Sequence, residues 1–305
     1  MMMSTQTAKL LGQLPTVRGT YRPEVPMSSC TWLGVGGPAD VVFRPADAED
    51  LAHFLSACPK HIPIQVIGVG SNILVRDGGI RGVVVRLGRG FTWIEPQEDT
   101  LYVGAGVLDF NLATYCLHHA LTGLEFFVGI PGTVGGALAM NAGCYGRETA
   151  AVLAYAEIID DHGVMHQLTP TDIGYVYRGH SLPEEWIFTA AMFKVTPGDT
   201  TLIEAEMKRI TEARQATQPI RSKTAGSTFV NPTGGKVWEF IDAVGMRGYR
   251  LGGAKVSEMH CNFLINENGA TAADLENLGE EVRRRVQENS GMLLEWEVKR
   301  IGESV

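Results

Sequence analysis

Little in this chain points to a disulfide scaffold, a zinc site or a nucleic-acid surface. Its five cysteines (30, 58, 116, 144 and 261) are odd in number, scattered, and form no C-x-x-C pair, so no disulfide framework or zinc site is expected. Positive charge is scarce. With 26 Lys and Arg against 34 Asp and Glu, the net charge is −8, which leaves no broad basic field for nucleic acid or anionic lipid. Any anionic ligand must be held by local amides and a few Arg or Lys. No apolar run approaches a membrane span, and the opening residues lack the basic and apolar regions of a secretory signal. A reducing cytoplasm fits best. The phosphate loop G-x-x-x-x-G-K-[ST] is missing, as is a G-x-S-x-G elbow around Ser227. Gly68 and Gly70 lack the third glycine of a dinucleotide fingerprint, and Ser71-Asn72 leads into the strand-like Ile73-Leu-Val75 instead of a helix, which disfavours a Rossmann unit.

What the chain does have is glycine in particular places. Gly129-Ile-Pro-Gly-Thr-Val-Gly-Gly-Ala-Leu-Ala-Met-Asn-Ala-Gly143 carries no charge. It reads as a buried turn, not a helix, because a helix would lose stability to so much glycine. Bare amides in such a turn suit a pyrophosphate; a tight packing corner is the alternative. Gly68-Val-Gly-Ser-Asn72 is a second glycine turn with polar side chains.

At 305 residues, 45% hydrophobic and 20% charged, the chain can bury a real core in two or three domains. Strands at Ala39–Arg44, Ile64–Ile67, Ile73–Val75 and Val83–Leu87 alternate with a helix over Asp47–Cys58. A helix over Leu108–Ala120 is expected to turn Leu108, Leu112, Tyr115 and Leu117 inward. The neighbouring His118 and His119 cannot share a helix face, so they make no metal site. Strands follow near Ala151–Ile159, Val164–Leu168 and Ile187–Val195. Thr200–Thr217 reads as a polar helix of the kind that bridges domains. Thr271 with Asp274 caps a helix whose Leu275, Leu278, Val282 and Val286 form its buried stripe, and Gly291 ends it. Leu293–Ile301 reads as a closing strand that could return to the first sheet.

For chemistry, Arg178 beside Tyr177, Ser227 in a glycine turn, and Glu297 on an apolar strand each stay ambiguous from local context. A solvated arginine, a turn serine and an exposed carboxylate are the plain alternatives. His180 and His260 read as structural or substrate-adjacent.

Taken together, Thr31–Pro38, Gly68–Asn72, Gly129–Gly136, Tyr177-Arg178, Gly226–Pro232, Val256–His260 and Trp296–Val298 resemble, in order, the motifs of the UDP-N-acetylenolpyruvoylglucosamine reductase (MurB) family. The resemblance implies an α+β protein with α/β elements: an FAD-binding fold of the vanillyl-alcohol-oxidase (PCMH) type in two subdomains, plus a C-terminal α+β substrate domain. The divisions expected are a tail at 1–20, FAD subdomains at 21–89 (joined by 292–305) and 90–199, and a substrate domain at 200–291. It implies NADPH-dependent reduction of UDP-N-acetylglucosamine enolpyruvate to UDP-N-acetylmuramate through non-covalent FAD, in a cytoplasmic monomer with no nucleic-acid or membrane partner and no metal. An FAD oxidase or dehydrogenase acting on another small alcohol or sugar is the alternative. Catalytic positions fall on Arg178, Ser227 and Glu297. FAD positions fall on Gly68, Val69, Gly70, Ser71, Asn72, Gly132, Thr133, Gly135, Gly136 and Ala137. Substrate positions fall on Tyr177, Asn231, Lys255, Glu258 and His260. The short stretch between Arg178 and Ser227 resembles the shorter version of the family, without the tyrosine-bearing loop, and Val230 stands where lysine is common. Arg214, Arg221 and Lys223 are therefore the candidates for the substrate diphosphate.

Overall fold

The computed structural model describes residues 3–232 and 235–305. Two compact units emerge: the chain to Pro23 with Val41–Gly68 and Gly82–Ala213, and Glu24–Asp40 with Val69–Arg81 and Arg214–Val305.

The early elements are α1 (Thr5–Leu11), β1 (Thr20–Pro26), β2 (Pro38–Arg44), α2 (Ala48–Ala57), β3 (Ile64–Val66), β4 (Ile73–Val75) and β5 (Ile80–Val85). Four of the strands form a sheet of order β1-β2-β5-β3, with β3 and β5 parallel. Asp47 caps α2 by accepting the Asp50 amide at 2.9 Å. Leu51 and Phe54 on that helix then pack against Val41, Phe43, Val83 and Val85.

The chain continues through β6 (Ile94–Gln97), β7 (Thr100–Gly104), α3 (Asp109–His118), β8 (Leu121–Thr122), α4 (Val134–Ala139), β9 (Gly143–Cys144), β10 (Arg147–Glu148), α5 (Thr149–Val152), β11 (Leu153–Ile159) and β12 (Met165–Leu168). It then forms α6 (Pro170–Ile173), β13 (Ile187–Lys194), β14 (Thr196–Pro197) and α7 (Thr200–Thr217). An antiparallel sheet runs β12-β11-β13-β7-β6. One expectation changes here. Helix α3 starts one residue late, so Leu108 is its exposed N-cap and the buried face is Asp109, Leu112, Ala113 and Cys116. Helix α7 buries Ile203, Met207 and Ile210 in the same core as Leu101, Phe127 and Phe193, and the chain passes from the first unit to the second within it, between Ala213 and Arg214. The division expected at 89/90 falls inside the first unit, between the end of the four-stranded sheet at Val85 and the start of the five-stranded sheet at Ile94.

The second unit adds α8 (Val237–Ala243), β15 (Arg250–Leu251), β16 (Ala254–Val256), β17 (Leu264–Asn266), α9 (Ala272–Ser290) and β18 (Lys299–Ile301). Its hairpin sheet is β15-β16-β17. The expected stripe of α9 (Leu275, Leu278, Val282, Val286) packs with Val256, Leu264 and Phe229. Thr271 and Asp274 form the capping box, and Gly291 ends the helix in the left-handed region at φ 74°. Asp77 adds to the cap by accepting the Ala272 and Ala273 amides, each at 2.9 Å, which favours a carboxylate at the helix N-terminus. The closing strand is shorter than expected. Only Lys299–Ile301 is strand, and it pairs in parallel with β4, not with the four-stranded sheet.

Candidate active site

The glycine-rich stretch is not a plain turn. Thr133 caps α4, and the Val134 and Gly135 amides donate to the carbonyls of Val107 (2.9 Å) and Ala105 (2.8 Å) at the exit of β7. A helix containing two glycines forms because the strand exit lies so close: a Cβ on Gly135 would stand 3.0 Å from the Ala105 Cβ. Tertiary contact here overrides the helix propensity of glycine. The amides of Gly136 and Ala137 are also occupied, by the Thr133 hydroxyl (3.4 Å) and carbonyl (2.9 Å). Those of Gly132 and Thr133 donate to nothing among the described residues. In the other glycine turn, the Gly68, Val69, Gly70 and Ser71 amides likewise have no acceptor among the described residues. Gly70 adopts φ 71°, where a side chain would also run into the Cys30 carbonyl and Thr31. Gly68 lies against the cap of α4, where a Cβ on it would meet Thr133 Oγ1 at 2.9 Å.

Unused amides and an absence of intruding side chains suit a phosphate-bearing cofactor. The residues present fit FAD at Gly68–Asn72 and at Gly132-Thr133. Gly135, Gly136 and Ala137 support this surface through backbone contacts.

Arg178 sits at the tip of a short turn closed by the Val176–Gly179 bridge. Its backbone lies in the left-handed region at φ 58°, a strained position for a non-glycine residue. The guanidinium stacks 4.6 Å from the Tyr177 ring centroid, and Nη2 donates to the Gly143 carbonyl at 3.3 Å. Asn141, buried, holds the turn from below: Nδ2 donates to the Val176 carbonyl (3.2 Å) and Glu148 (3.1 Å), while Oδ1 accepts from the Ala150 amide (3.0 Å). The end of the glycine-rich stretch therefore carries the arginine turn.

Ser227 and Glu297 lie in the second unit on neighbouring segments. Phe229 and Trp296 form an antiparallel bridge, and the Glu297 amide donates to the Thr228 carbonyl at 2.8 Å. Asn72 Nδ2 donates to the Glu297 carbonyl at 3.1 Å, tying this ribbon to the polar end of the first glycine turn. Asn262, which the sequence gives no reason to single out beyond a polar residue opening an apolar strand, locks the other edge. Its side chain accepts from the Phe229 amide (2.9 Å) and donates to the Phe229 carbonyl (2.8 Å), and its own carbonyl accepts from Thr228 (2.7 Å).

Beside this ribbon is a cavity of about 510 Å³ lined by Ser227, Asn231, Lys236, Trp238, Arg247 and His260, among others. Asn231 Oδ1 accepts the Val237 amide at 3.0 Å at the start of α8. His260 Nδ1 accepts the Asn262 amide at 3.2 Å, so the neutral ring carries its proton on Nε2. Burial, with Arg247 as a lesser cause, pushes its pKa down and keeps it neutral. Lys255 and Glu258 do not line this cavity. They pair with each other at 2.8 Å, and Lys255 also pairs with Glu267 at 3.2 Å. Arg214, Arg221 and Lys223 are absent from its wall too, whereas Lys236 and Arg247 are present.

Comparison with known proteins agrees with this layout. Residues 39–169 match the FAD binding domain family, and residues 218–301 match the C-terminal domain of UDP-N-acetylenolpyruvoylglucosamine reductase. The UDP-N-acetylenolpyruvoylglucosamine reductase of Parvibaculum lavamentivorans is 53% identical over 302 residues, covering 99% of this chain and 97% of that protein. The chain belongs to the UDP-N-acetylenolpyruvoylglucosamine reductase family. The family's member from Methylorubrum populi is 56% identical over 289 residues, 94% of each chain. The crystal structure of the Thermus caldophilus reductase superposes with a TM-score of 0.81 at 34% identity, covering 94% of this chain and 100% of that one. An FAD-binding domain followed by the family's C-terminal domain is thus the architecture, and the glycine turns lie in or beside the FAD-binding match.

Proposed function

We propose that the family's reaction runs in this chain on Arg178, Ser227 and Glu297: NADPH-dependent reduction of UDP-N-acetylglucosamine enolpyruvate to UDP-N-acetylmuramate through FAD, in peptidoglycan precursor synthesis. The observation that carries the activity is near-full-length identity above one half to reductases of this name. The residue roles rest on chemistry. Held by the amides of Gly68–Asn72 and Gly132-Thr133, FAD would supply the hydride chemistry between NADPH and the terminal methylene carbon of the enolpyruvyl group. Negative charge then develops on the adjacent carbon and its carboxylate, and the Arg178 guanidinium stabilises it. Anchoring of its turn by Asn141 reduces the reorganisation that this requires. Glu297, in its protonated form, donates a hydrogen bond to the same charge. Ser227 transfers its hydroxyl proton to the carbanionic carbon, so its O–H bond breaks as the new C–H bond forms. Serine is a weak acid, and this step depends on close placement against a strong base; the clamp by Asn262 on the adjoining residues supports such placement. The cytoplasm, as the reducing compartment, and a monomeric enzyme complete the reading.

Anaerobic spectroscopy tests it. The purified protein should be yellow, bleach with NADPH and recolour when the enolpyruvyl sugar is added. Ser227→Ala should still bleach with NADPH but slow the recolouring by about 100-fold or more. Equal loss in both halves would remove the serine from the role of proton donor.

A further inference from the structure

Two cavities stand out in the protein, and their charges differ. The cavity in the first unit, about 390 Å³, has Glu125, Asp199 and Glu206 in its wall against Arg147. The cavity beside Ser227 has no carboxylate among the described residues that line it, but it has Lys236 and Arg247. In a chain of net charge −8, a wall free of acids is a local departure that admits an anion.

The two cations are not equivalent. Arg247 is already neutralised: Nε and Nη2 each reach an Asp242 carboxylate oxygen at 2.9 Å, and Nη1 donates to the Glu258 carbonyl. Asp242 holds the Arg247 pKa above its ordinary value. The Lys236 ammonium makes no ion pair or hydrogen bond with any described residue, while its carbonyl accepts the Glu239 amide at 3.0 Å. It stands at the N-cap of α8, one residue before the Val237 amide that holds Asn231. The Asn231 Oδ1 is thereby occupied from the protein side, and the side chain's donor end remains for a ligand.

Resting on the functional reading above, we propose that Lys236 is the charge anchor for the diphosphate of the nucleotide-sugar substrate, in place of Arg214, Arg221 and Lys223. An ammonium with no carboxylate to satisfy it, in a wall without acids, offers its full charge to a diphosphate. Arg247 serves as a braced, already paired part of the wall, and Asn231 as a neutral donor beside the anchor.

The test is calorimetric titration of the oxidised holoenzyme with UDP and with uridine, alongside steady-state kinetics. Lys236→Ala should weaken UDP by about tenfold or more, the effect of losing one charge-assisted hydrogen bond, and leave uridine unaffected. The KM for the enolpyruvyl sugar should rise in parallel while kcat changes little. Lys236→Arg should recover most of the affinity, and Lys236→Met gives a second charge-free variant should alanine disturb the start of α8. Unchanged UDP affinity, an equal loss for UDP and uridine, or an effect confined to the KM for NADPH would each overturn the assignment. A wild-type enzyme that binds UDP through Lys236 yet fails to turn over the enolpyruvyl sugar would instead defeat the functional reading, so the two failures can be told apart.

Discussion

Asp109 carries an unusual electrostatic burden. It is fully buried at the first position of α3, and neither carboxylate oxygen has a hydrogen-bond partner among the described residues. Burial, with no charged neighbour as a further cause, raises its pKa well above the ordinary carboxylate value. The folded protein therefore holds this proton more tightly than the unfolded chain does. The stability that comes with the neutral carboxyl is fully present below about pH 4, the unfolded value, and is lost as pH rises through the folded value. Asp109→Asn, which cannot ionise, should melt higher than the wild type at neutral pH, by about 2–4 °C. Thermal scans at several pH values should show the gap widening from acid toward neutral; parallel curves would contradict this account. The thiols pose no comparable problem. Burial pushes the Cys116 thiol up to about 12, so that group stays protonated and unreactive.

Helix α4 owes its existence to packing. Gly135 lies against Ala105 so closely that an added methyl would press the helix off the exit of β7. Gly135→Ala should shift the Gly132-Thr133 amides and weaken FAD retention about tenfold or more, read as flavin released during gel filtration or dialysis; a shift of a few tenths of an ångström is enough to misalign short hydrogen bonds. The ribbon bearing Ser227 and Glu297 depends in the same way on Asn262. Asn262→Ala leaves a buried amide and carbonyl of Phe229 without partners. The expected cost is about 2–4 kcal/mol of stability, seen as a lower midpoint in urea, with kcat falling while the flavin stays bound. Asn262→Asp should restore only the acceptor half of the contact and lie between the two.

Cofactor and fold are linked in the whole molecule. A ligand that binds only the folded state stabilises it by RT ln(1 + [L]/Kd), about 2.7 kcal/mol at a hundredfold excess over Kd. Both glycine turns carry amides with no acceptor among the described residues. Stripping FAD should therefore lower the melting temperature by several degrees, and the apoprotein's loss should be recovered by titrating FAD back. An apoprotein that melts with the holoenzyme would show that the turns need no ligand to hold their shape.

Local patterning made several elements legible. Helix α9, with its capping box and terminal glycine, and helix α7 came directly from side-chain spacing, because periodicity and capping are encoded within a few residues. The glycine turns stood out by composition, whereas Arg178, Ser227 and Glu297 were ambiguous from local context and were singled out only by the family resemblance, so their roles are those proposed above. Other features needed distant chain to arrive. The helical turn at Val134–Ala139 exists because β7 leaves carbonyls for its amides to reach. The inward face of α3 moved by one residue, burying an acid, because the Asp109 amide binds the Gly132 carbonyl and that contact sets where the helix begins. Asn141 and Asn262 gave no sign in the sequence of what they hold, since an asparagine's role lies in partners far along the chain. The contrast between Lys236 and Arg247 has the same origin: both are cations in the one-dimensional chain, and only folding brought Asp242 to one of them and left the other uncompensated.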